Sequence, residues 1–426
     1  RQSFKAAYLL KSATHTRKRS SITSLPITVC RFVYQKSWRM VAVPEEQLPS
    51  LESLENGANA ILLDGCLRTN REPLPSRPSA GTARCSASKA PINRDRFVRA
   101  YYGQGMRTRL TDLLDIEHPI MLAGMGGVSY HELVAAVSEA GGIGTFGAAP
   151  MGPGQLDAEI AAVHKLTNKP FGVDLLAAIP GQLEKDVESI IKGGARIFVA
   201  GLGVPREIID ILHKNNILVG SMCGKVRHAQ AALASGCDFV VAQGTEGGGH
   251  TGTVATMALV PQVVDAVGDK IPVVAAGGLF DGRGLAASLA LGADGVWMGT
   301  RFIATPEANA PHGYKSTLIE LPEDGTVVSR AYTGKTCRVV RTEWTQHFEE
   351  HPEELKKFPE QVMKSVQAGA NHMGAPVETD VDVNREFMPA GQGVGAIKGL
   401  IPAGDLVRQI MAEAERVIDS MKKFAK

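Results

Sequence analysis

From residue 107 to residue 300, short apolar segments alternate with amphipathic stretches of ten or more residues. Eight segments are apolar throughout, as strands are when both faces of a sheet are covered: 119–123, 143–146, 171–175, 197–200, 217–220, 239–242, 272–275 and 295–298. Helices are predicted between them at 130–140, 153–166, 182–192, 205–214, 225–234, 257–267 and 282–291. Eight strands alternating with helices predict an α/β fold, the (β/α)8 TIM barrel. We favour the barrel over an open doubly wound sheet because no Gly-x-Gly-x-x-Gly motif opens the first unit.

The regions on either side of this pattern lack its regularity. Residues 1–105 begin with a basic stretch and continue through Pro- and Ser-rich sequence. We interpret them as an N-terminal extension that is disordered or not native to the domain, and assign it no chemistry. Residues 106–306 form the predicted barrel. Residues 307–426 form a predicted small C-terminal helical addition that closes one side of the barrel mouth, with helices at 352–368 and 403–424.

Charge and composition narrow the function classes. The chain has 426 residues and a formal net charge of +2, and no apolar run reaches the roughly 20 residues that span a bilayer. We therefore expect neither a nucleic acid nor a membrane partner. The six cysteines form no C-x-x-C pair, which argues against a zinc site or a disulfide framework. We expect a cytoplasmic protein, or a mitochondrial one if the basic start is a genuine transit peptide. The oligomeric state stays open.

A glycine-rich loop carrying one histidine follows the sixth predicted strand. In the run Gln243–Gly252, four glycines in six residues let backbone N–H groups approach a ligand closely. His250 in this run is the natural proton acceptor or anion partner, since imidazole titrates near neutral pH. The alternative is a flexible loop with a surface histidine. Glu246 is interpreted as a solvated loop charge.

Two further glycine motifs follow the seventh and eighth predicted strands. Ala276-Gly277-Gly278 and Met298-Gly299-Thr300-Arg301 supply backbone N–H groups, a hydroxyl and a charge. The loops after the last two strands of a TIM barrel commonly bind a phosphate. The motifs therefore predict a phosphate site. The alternative is a pair of tight turns that bind no ligand. The motifs alone do not identify the ligand.

Other strand ends add candidate ligand contacts. Ala123–Gly127 could lie against a flat ring because it lacks side-chain bulk, while Met125 within it is more typical of packing. Asp174 is an acid inside an apolar run and needs a hydrogen-bond partner, either a ligand or a neighbouring loop. Gln243 can both donate and accept, which suits the polar edge of a heterocycle. The remaining histidines are interpreted as structural.

Taken together, these loops resemble the nitronate monooxygenase family, formerly called 2-nitropropane dioxygenases. The resemblance covers about residues 107–400 and includes the glycine-rich stretch 388–397. It implies an FMN-dependent barrel that oxidises alkyl nitronates or nitroalkanes with O2 to a carbonyl compound and nitrite. It implies that His250 is catalytic, as base or nitronate-binding group. The residues implied to contact FMN are Gln243, Gly248, Gly278, Trp297, Met298, Gly299 and Thr300, together with Met125 and Asp174.

One departure and three alternatives accompany this resemblance. The family often has Asn where this chain has Asp174, and a carboxylate beside an electron-rich flavin is costly unless it is protonated or paired. An FMN-dependent enoyl-ACP reductase or an NAD(P)H:quinone reductase on the same barrel would look similar in sequence. The third alternative is a barrel that binds a phosphorylated metabolite without flavin.

Overall fold

The computed structural model describes residues 27–34, 37–44, 106–176, 183–201 and 203–424. The chain divides into two compact units, Arg1–Ser88 and Lys89–Lys426. In the first unit the structure describes an antiparallel pair of strands, β1 (Ile27–Tyr34) and β2 (Ser37–Pro44). The sequence pattern did not predict this pair. The rest of the predicted extension up to residue 105 lies outside the described residues.

The second unit contains the predicted eight-stranded barrel. Its strands are β3 (Ile120–Leu122), β4 (Gly144–Gly147), β5 (Phe171–Leu176), β6 (Ile197–Gly201), β7 (Leu218–Cys223), β8 (Phe239–Gln243), β10 (Val273–Ala276) and β11 (Gly295–Met298), while β9 (Gly249–His250) lies outside the barrel. All neighbouring barrel strands pair in parallel, in the order β3-β11-β10-β8-β7-β6-β5-β4. A parallel bridge between Met121 and Ile143 joins β3 to β4 and closes the barrel. The prediction of a TIM barrel is confirmed.

Helices surround the barrel at the predicted places, and the ring is completed by the last helix of the chain. The helices between strands are His131–Glu139, Gln155–Leu166, Leu183–Lys192, Arg206–Lys214, Val226–Ser235, Thr256–Val267 and Gly282–Ala290. Ala403–Met421 packs between the first and the last of these. It approaches so closely that a Cβ at Gly282 would collide with its backbone, and the Glu413 carboxylate accepts a hydrogen bond from Gly282 N. The final helix therefore occupies the place of the eighth barrel helix.

Residues 307–402 form an insertion between the eighth strand and this eighth helix. The insertion contains helices His312–Glu320, Glu343–Glu350 and Glu360–Gln367, as well as strands β12 (Thr326–Ser329) and β13 (Cys337–Val340). Strand β13 pairs with both β12 and β9, giving a three-stranded sheet that the sequence pattern did not predict. The single helix predicted over 352–368 is wrong. A 3-10 turn ends at Glu354 and the α-helix begins only at Glu360, because Pro359 disfavours helical geometry at the residue before it.

Two apolar layers stabilise the barrel. The interior layer includes Met121, Phe239 and Trp297, and the outer layer lies between strands and helices. Helix Arg109–Leu114 closes the amino-terminal end, where Leu110 and Leu114 are fully buried against the interior layer. No helix within the described residues is long and apolar enough to cross a membrane.

Asp294 holds this closing helix in place. Its carboxylate accepts two hydrogen bonds from the Arg109 guanidinium, at 2.8 and 2.7 Å, and one from Val273 N at 3.0 Å. We predict that Asp294→Ala lowers the free energy of unfolding by about 2 kcal/mol, because a buried N–H and a charged partner lose their acceptor. Chemical denaturation measures this loss. The matched control is Asp112→Ala, since Asp112 pairs with Arg107 on the surface; equal losses in the two variants would contradict the prediction.

Candidate active site

A cavity of about 1280 Å³ opens at the carboxyl ends of the barrel strands. One part of its wall comes from barrel loops, including those after β3, β7 and β8, and the other part comes from the insertion. Ligands of TIM-barrel enzymes bind at this end of the barrel. Residues of the insertion therefore line one side of the cavity.

A smaller pocket of about 70 Å³ lies beside the cavity, between the loops after β10 and β11. Gly277 and Gly278 have φ angles of +100° and +72°, which are strained for residues with a Cβ. Across the pocket, Thr300 Oγ1 accepts a hydrogen bond of 2.9 Å from Gly391 N. Gly391 and Gly393 line the same pocket. The glycine-rich stretch 388–397 thus joins the two barrel motifs around a space the size of a phosphate group.

Four residues line both the small pocket and the cavity, and all four were predicted to bind the cofactor: Gln243, Gly248, Trp297 and Thr300. They lie where the two spaces adjoin. Backbone meets backbone at this boundary: a Cβ at Gly248 would lie 2.8 Å from Gly391 N. A ligand with a phosphate at one end and a larger body at the other could therefore occupy both spaces.

The other predicted contacts divide between the two spaces, with one exception. Gly278 and Gly299 line the small pocket, and Met125 and Asp174 line the cavity. Met298 lines neither: it is 1% exposed and packs in the outer apolar layer. Side chains alternate along a strand, so Trp297 faces the barrel interior and Met298 faces the helices. The structure therefore does not place the Met298 side chain at the site.

His250 lies on the cavity wall in the short strand β9, which pairs with β13 of the insertion. Its Nε2 lies 3.0 Å from Thr333 Oγ1. Although the residue as a whole is exposed, desolvation of the ring and secondarily the charge of Lys335 lower the pKa of His250 below its ordinary value. The shift favours the neutral imidazole.

The two polar neighbours of His250 on its loop have structural contacts. Gln243 Nε2 donates a hydrogen bond of 3.0 Å to the carbonyl oxygen of His250 and so fixes the loop. The interpretation of Glu246 as a solvated charge is wrong. Its carboxylate accepts hydrogen bonds from Thr256 N and Oγ1 at the first residue of helix Thr256–Val267, where a negative charge is stabilised by the helix dipole.

Asp174 lies at the carboxyl end of β5, on the cavity wall. Its side chain lies so close to Gly124 that a Cβ there would collide with it. Burial raises the pKa of Asp174 well above its ordinary value. This shift favours the protonated carboxylic acid, which can donate a hydrogen bond as an asparagine amide does.

The insertion contributes cavity residues that sequence reasoning missed. Thr333 and Lys335 precede β13 and contact or influence His250. His372, which was interpreted as structural, lies on the cavity wall together with Glu386. No periodic pattern marks these positions, because they lie in irregular segments whose path depends on tertiary packing.

A TIM barrel with a phosphate-sized pocket beside a large cavity is the arrangement of barrel enzymes that bind phosphorylated ligands. The nitronate monooxygenase family model matches residues 107–186 and 179–413. The chain therefore belongs to the nitronate monooxygenase family, and its relatives make it an oxidoreductase.

Three relatives illustrate the range of this similarity. This chain is 44% identical to (3aS,4S,5R,7aS)-5-hydroxy-7a-methyl-1-oxo-octahydro-1H-indene-4-carboxyl-CoA dehydrogenase of Mycobacterium tuberculosis. The aligned region is 245 residues long and covers 57% of this chain and 69% of that protein. FabK from Thermotoga maritima is 36% identical, with a TM-score of 0.68 over 75% of this chain and 99% of that one. Nitroalkane oxidase from Streptomyces ansochromogenes is 30% identical, with a TM-score of 0.63 over 73% and 99%.

The effect of Lys335 on His250 can be measured directly. We predict that Lys335→Met raises the pKa of His250 towards its ordinary value without restoring it fully, because the larger cause, burial, remains. NMR titration of the imidazole measures this change. Lys169→Met is the control, since Lys169 is paired with Glu117 outside the cavity. An unchanged His250 titration in Lys335→Met would contradict the prediction.

Proposed function

We propose that this chain is an FMN-dependent oxidoreductase that oxidises alkyl nitronates with O2 to a carbonyl compound and nitrite. The observation that carries the proposal is that a small pocket between glycine turns adjoins a large cavity, with Gln243, Gly248, Trp297 and Thr300 lining both. His250 lies on the wall of that cavity. Family membership and the likeness to a nitroalkane oxidase support the nitronate as substrate class.

The residues around the two spaces fit FMN. Gly277, Gly278 and Thr300 would hold its phosphate by N–H groups and a hydroxyl. Gly124, Gly126 and Gly127 line the cavity with backbone, which a flat ring can approach closely. When bound, the flavin would take electrons from the substrate and pass them to O2. The protein holds and orients both partners.

The charges around His250 suit an anionic substrate. Lys335 lies on the cavity wall near the neutral imidazole of His250 and supplies a positive potential. A nitronate is an anion, so this potential favours its binding. His250 then contacts the substrate as a neutral hydrogen-bonding group or as a proton acceptor.

The second candidate is dehydrogenation of a coenzyme A thioester. The 44% identity to a carboxyl-CoA dehydrogenase favours it. So does the cavity of about 1280 Å³, which exceeds the roughly 300–1,000 Å³ usual for small-molecule sites. Arg330 and Lys335 on the cavity wall add positive charge where a phosphate-bearing handle could enter.

The test begins with the visible absorption of the purified protein. We expect a yellow protein that consumes O2 and releases nitrite from ethylnitronate or propyl-2-nitronate, with little NADH oxidation in a parallel cuvette. Bleaching by NADH or NADPH, with no reaction of the nitronate, would instead indicate a reductase on the same barrel. Protein that stays colourless after reconstitution with FMN would favour a flavin-free barrel.

In this assay His250→Asn should retain FMN and lose most turnover, because the nitronate loses the imidazole that contacts it on the cavity wall. The FMN spectrum of the variant shows whether the site is still folded. Thr333→Val, which removes the hydroxyl partner of Nε2, should lose less. Near-normal turnover in His250→Asn would contradict a catalytic role for His250.

A neutral Asp174 predicts pH-dependent FMN binding. The protonated acid can donate to the flavin, whereas the carboxylate formed above its raised pKa repels it. We therefore expect FMN affinity to fall as the pH rises through that pKa. Asp174→Asn should bind FMN with little dependence on pH, as measured by fluorescence titration. Asp112→Asn, at the opposite end of the barrel, should behave as the wild type does; a pH-independent wild type would contradict the prediction.

A further inference from the structure

His372 and Glu386 form a hydrogen-bonded pair on the wall of the main cavity. Glu386 Oε2 lies 2.6 Å from His372 Nδ1, and Glu386 Oε1 accepts a hydrogen bond of 2.9 Å from His372 N. The Glu386 side chain is 4% exposed, while the His372 side chain is 34% exposed. The carboxylate is therefore buried behind the ring, and the ring faces the cavity.

This geometry determines which nitrogen of His372 is available. Because the carboxylate accepts from Nδ1–H, the neutral ring carries its lone pair on Nε2. No residue in the described part of the chain is bonded to that Nε2. A buried carboxylate behind a histidine orients the ring and stabilises the imidazolium that forms when the ring takes a proton, as in hydrolase triads.

The pair lies next to the rest of the site. A side chain at Gly127, in the loop after β3, would collide with the backbone of Gly374, so the segment carrying His372 packs against that loop. On its other side, Asn371 Nδ2 donates to Ser365 Oγ, and Ser365 Oγ donates to the carbonyl oxygen of Tyr332. Tyr332 precedes Thr333, the partner of His250. His250 and His372 therefore line the same cavity.

A second histidine–glutamate pair, His131 and Glu159, lies outside the cavity and differs from the His372–Glu386 pair in one respect. His131 N and Nδ1 both bond to Glu159 Oε2, at 3.0 and 2.8 Å. However, His131 Nε2 is occupied by Glu132 at 3.0 Å. The His131 pair is therefore closed at both ring nitrogens, whereas the His372 pair is open towards the ligand space.

We propose that His372 is a catalytic base that removes the carbon-bound proton of a neutral substrate, with Glu386 as its positioning residue. In the step, the α C–H bond of a nitroalkane breaks, its electron pair stays on the nitro compound as the nitronate, and the proton passes to His372 Nε2. The imidazolium then returns the proton to water. The inference rests on the proposed function, because it supplies the nitronate that the oxidation consumes.

Proton transfer can be measured apart from oxidation. We would follow exchange of the α-hydrogens of nitroethane in D2O by NMR, without O2, using the holoenzyme. We expect the wild type to accelerate exchange and His372→Asn to lose about 100-fold of the acceleration. Glu386→Gln should lose less than His372→Asn, because a glutamine oxygen still accepts from Nδ1–H but carries no charge. His131→Asn, from the closed pair, should exchange like the wild type.

Turnover provides the second readout. In His372→Asn, nitrite production from nitroethane should fall at least about tenfold further than production from ethylnitronate, which has already lost the proton. Equal losses with both substrates would indicate a structural role and overturn the proposal. So would normal exchange in His372→Asn combined with its loss in His250→Asn. A wild type that exchanges but releases no nitrite would overturn the proposed function and leave the base assignment standing.

Discussion

Contact between two glycine-rich backbones holds the candidate site together. The loop after β8 meets the segment around Gly391 without side chains between them, and Gln392 N donates a hydrogen bond of 2.9 Å to the carbonyl oxygen of Glu246. A Cβ on Gly248 or Gly391 would force the two backbones apart. Because this contact lies where the small pocket adjoins the cavity, it fixes how the insertion is placed against the barrel at the candidate site.

The same junction explains how His250 is positioned. Its loop is too rich in glycine to hold a side chain by itself, because glycine leaves the backbone many conformations. Strand β9 gains order by pairing with β13, and Thr333 adds a contact to the ring. The insertion therefore supplies the rigidity that the barrel loop lacks, and the catalytic role proposed for His250 requires that rigidity.

Sequence reasoning located the barrel and the phosphate-sized pocket because both depend on local patterns. Apolar strands and glycine turns such as Gly277-Gly278 can be recognised without knowledge of tertiary contacts. Local motifs do not show which face a side chain takes: alternation along the strand sends Trp297 to the barrel interior and Met298 to the outer layer. His372 and Glu386 could not be paired in advance, since they lie in irregular chain and meet only through packing of the insertion.

The two candidate substrates require the same kind of proton transfer. A nitroalkane and a coenzyme A thioester are both carbon acids: each loses a proton next to a group whose oxygen takes up the negative charge. A histidine must be in its neutral form to accept that proton; the lowered pKa of His250 favours that form, and Glu386 leaves a lone pair open on His372 Nε2. The developing anion needs positive charge nearby, which Lys335 supplies. The proton chemistry is thus common to both reactions, and the size of the cavity rather than its reactive groups must distinguish the substrates.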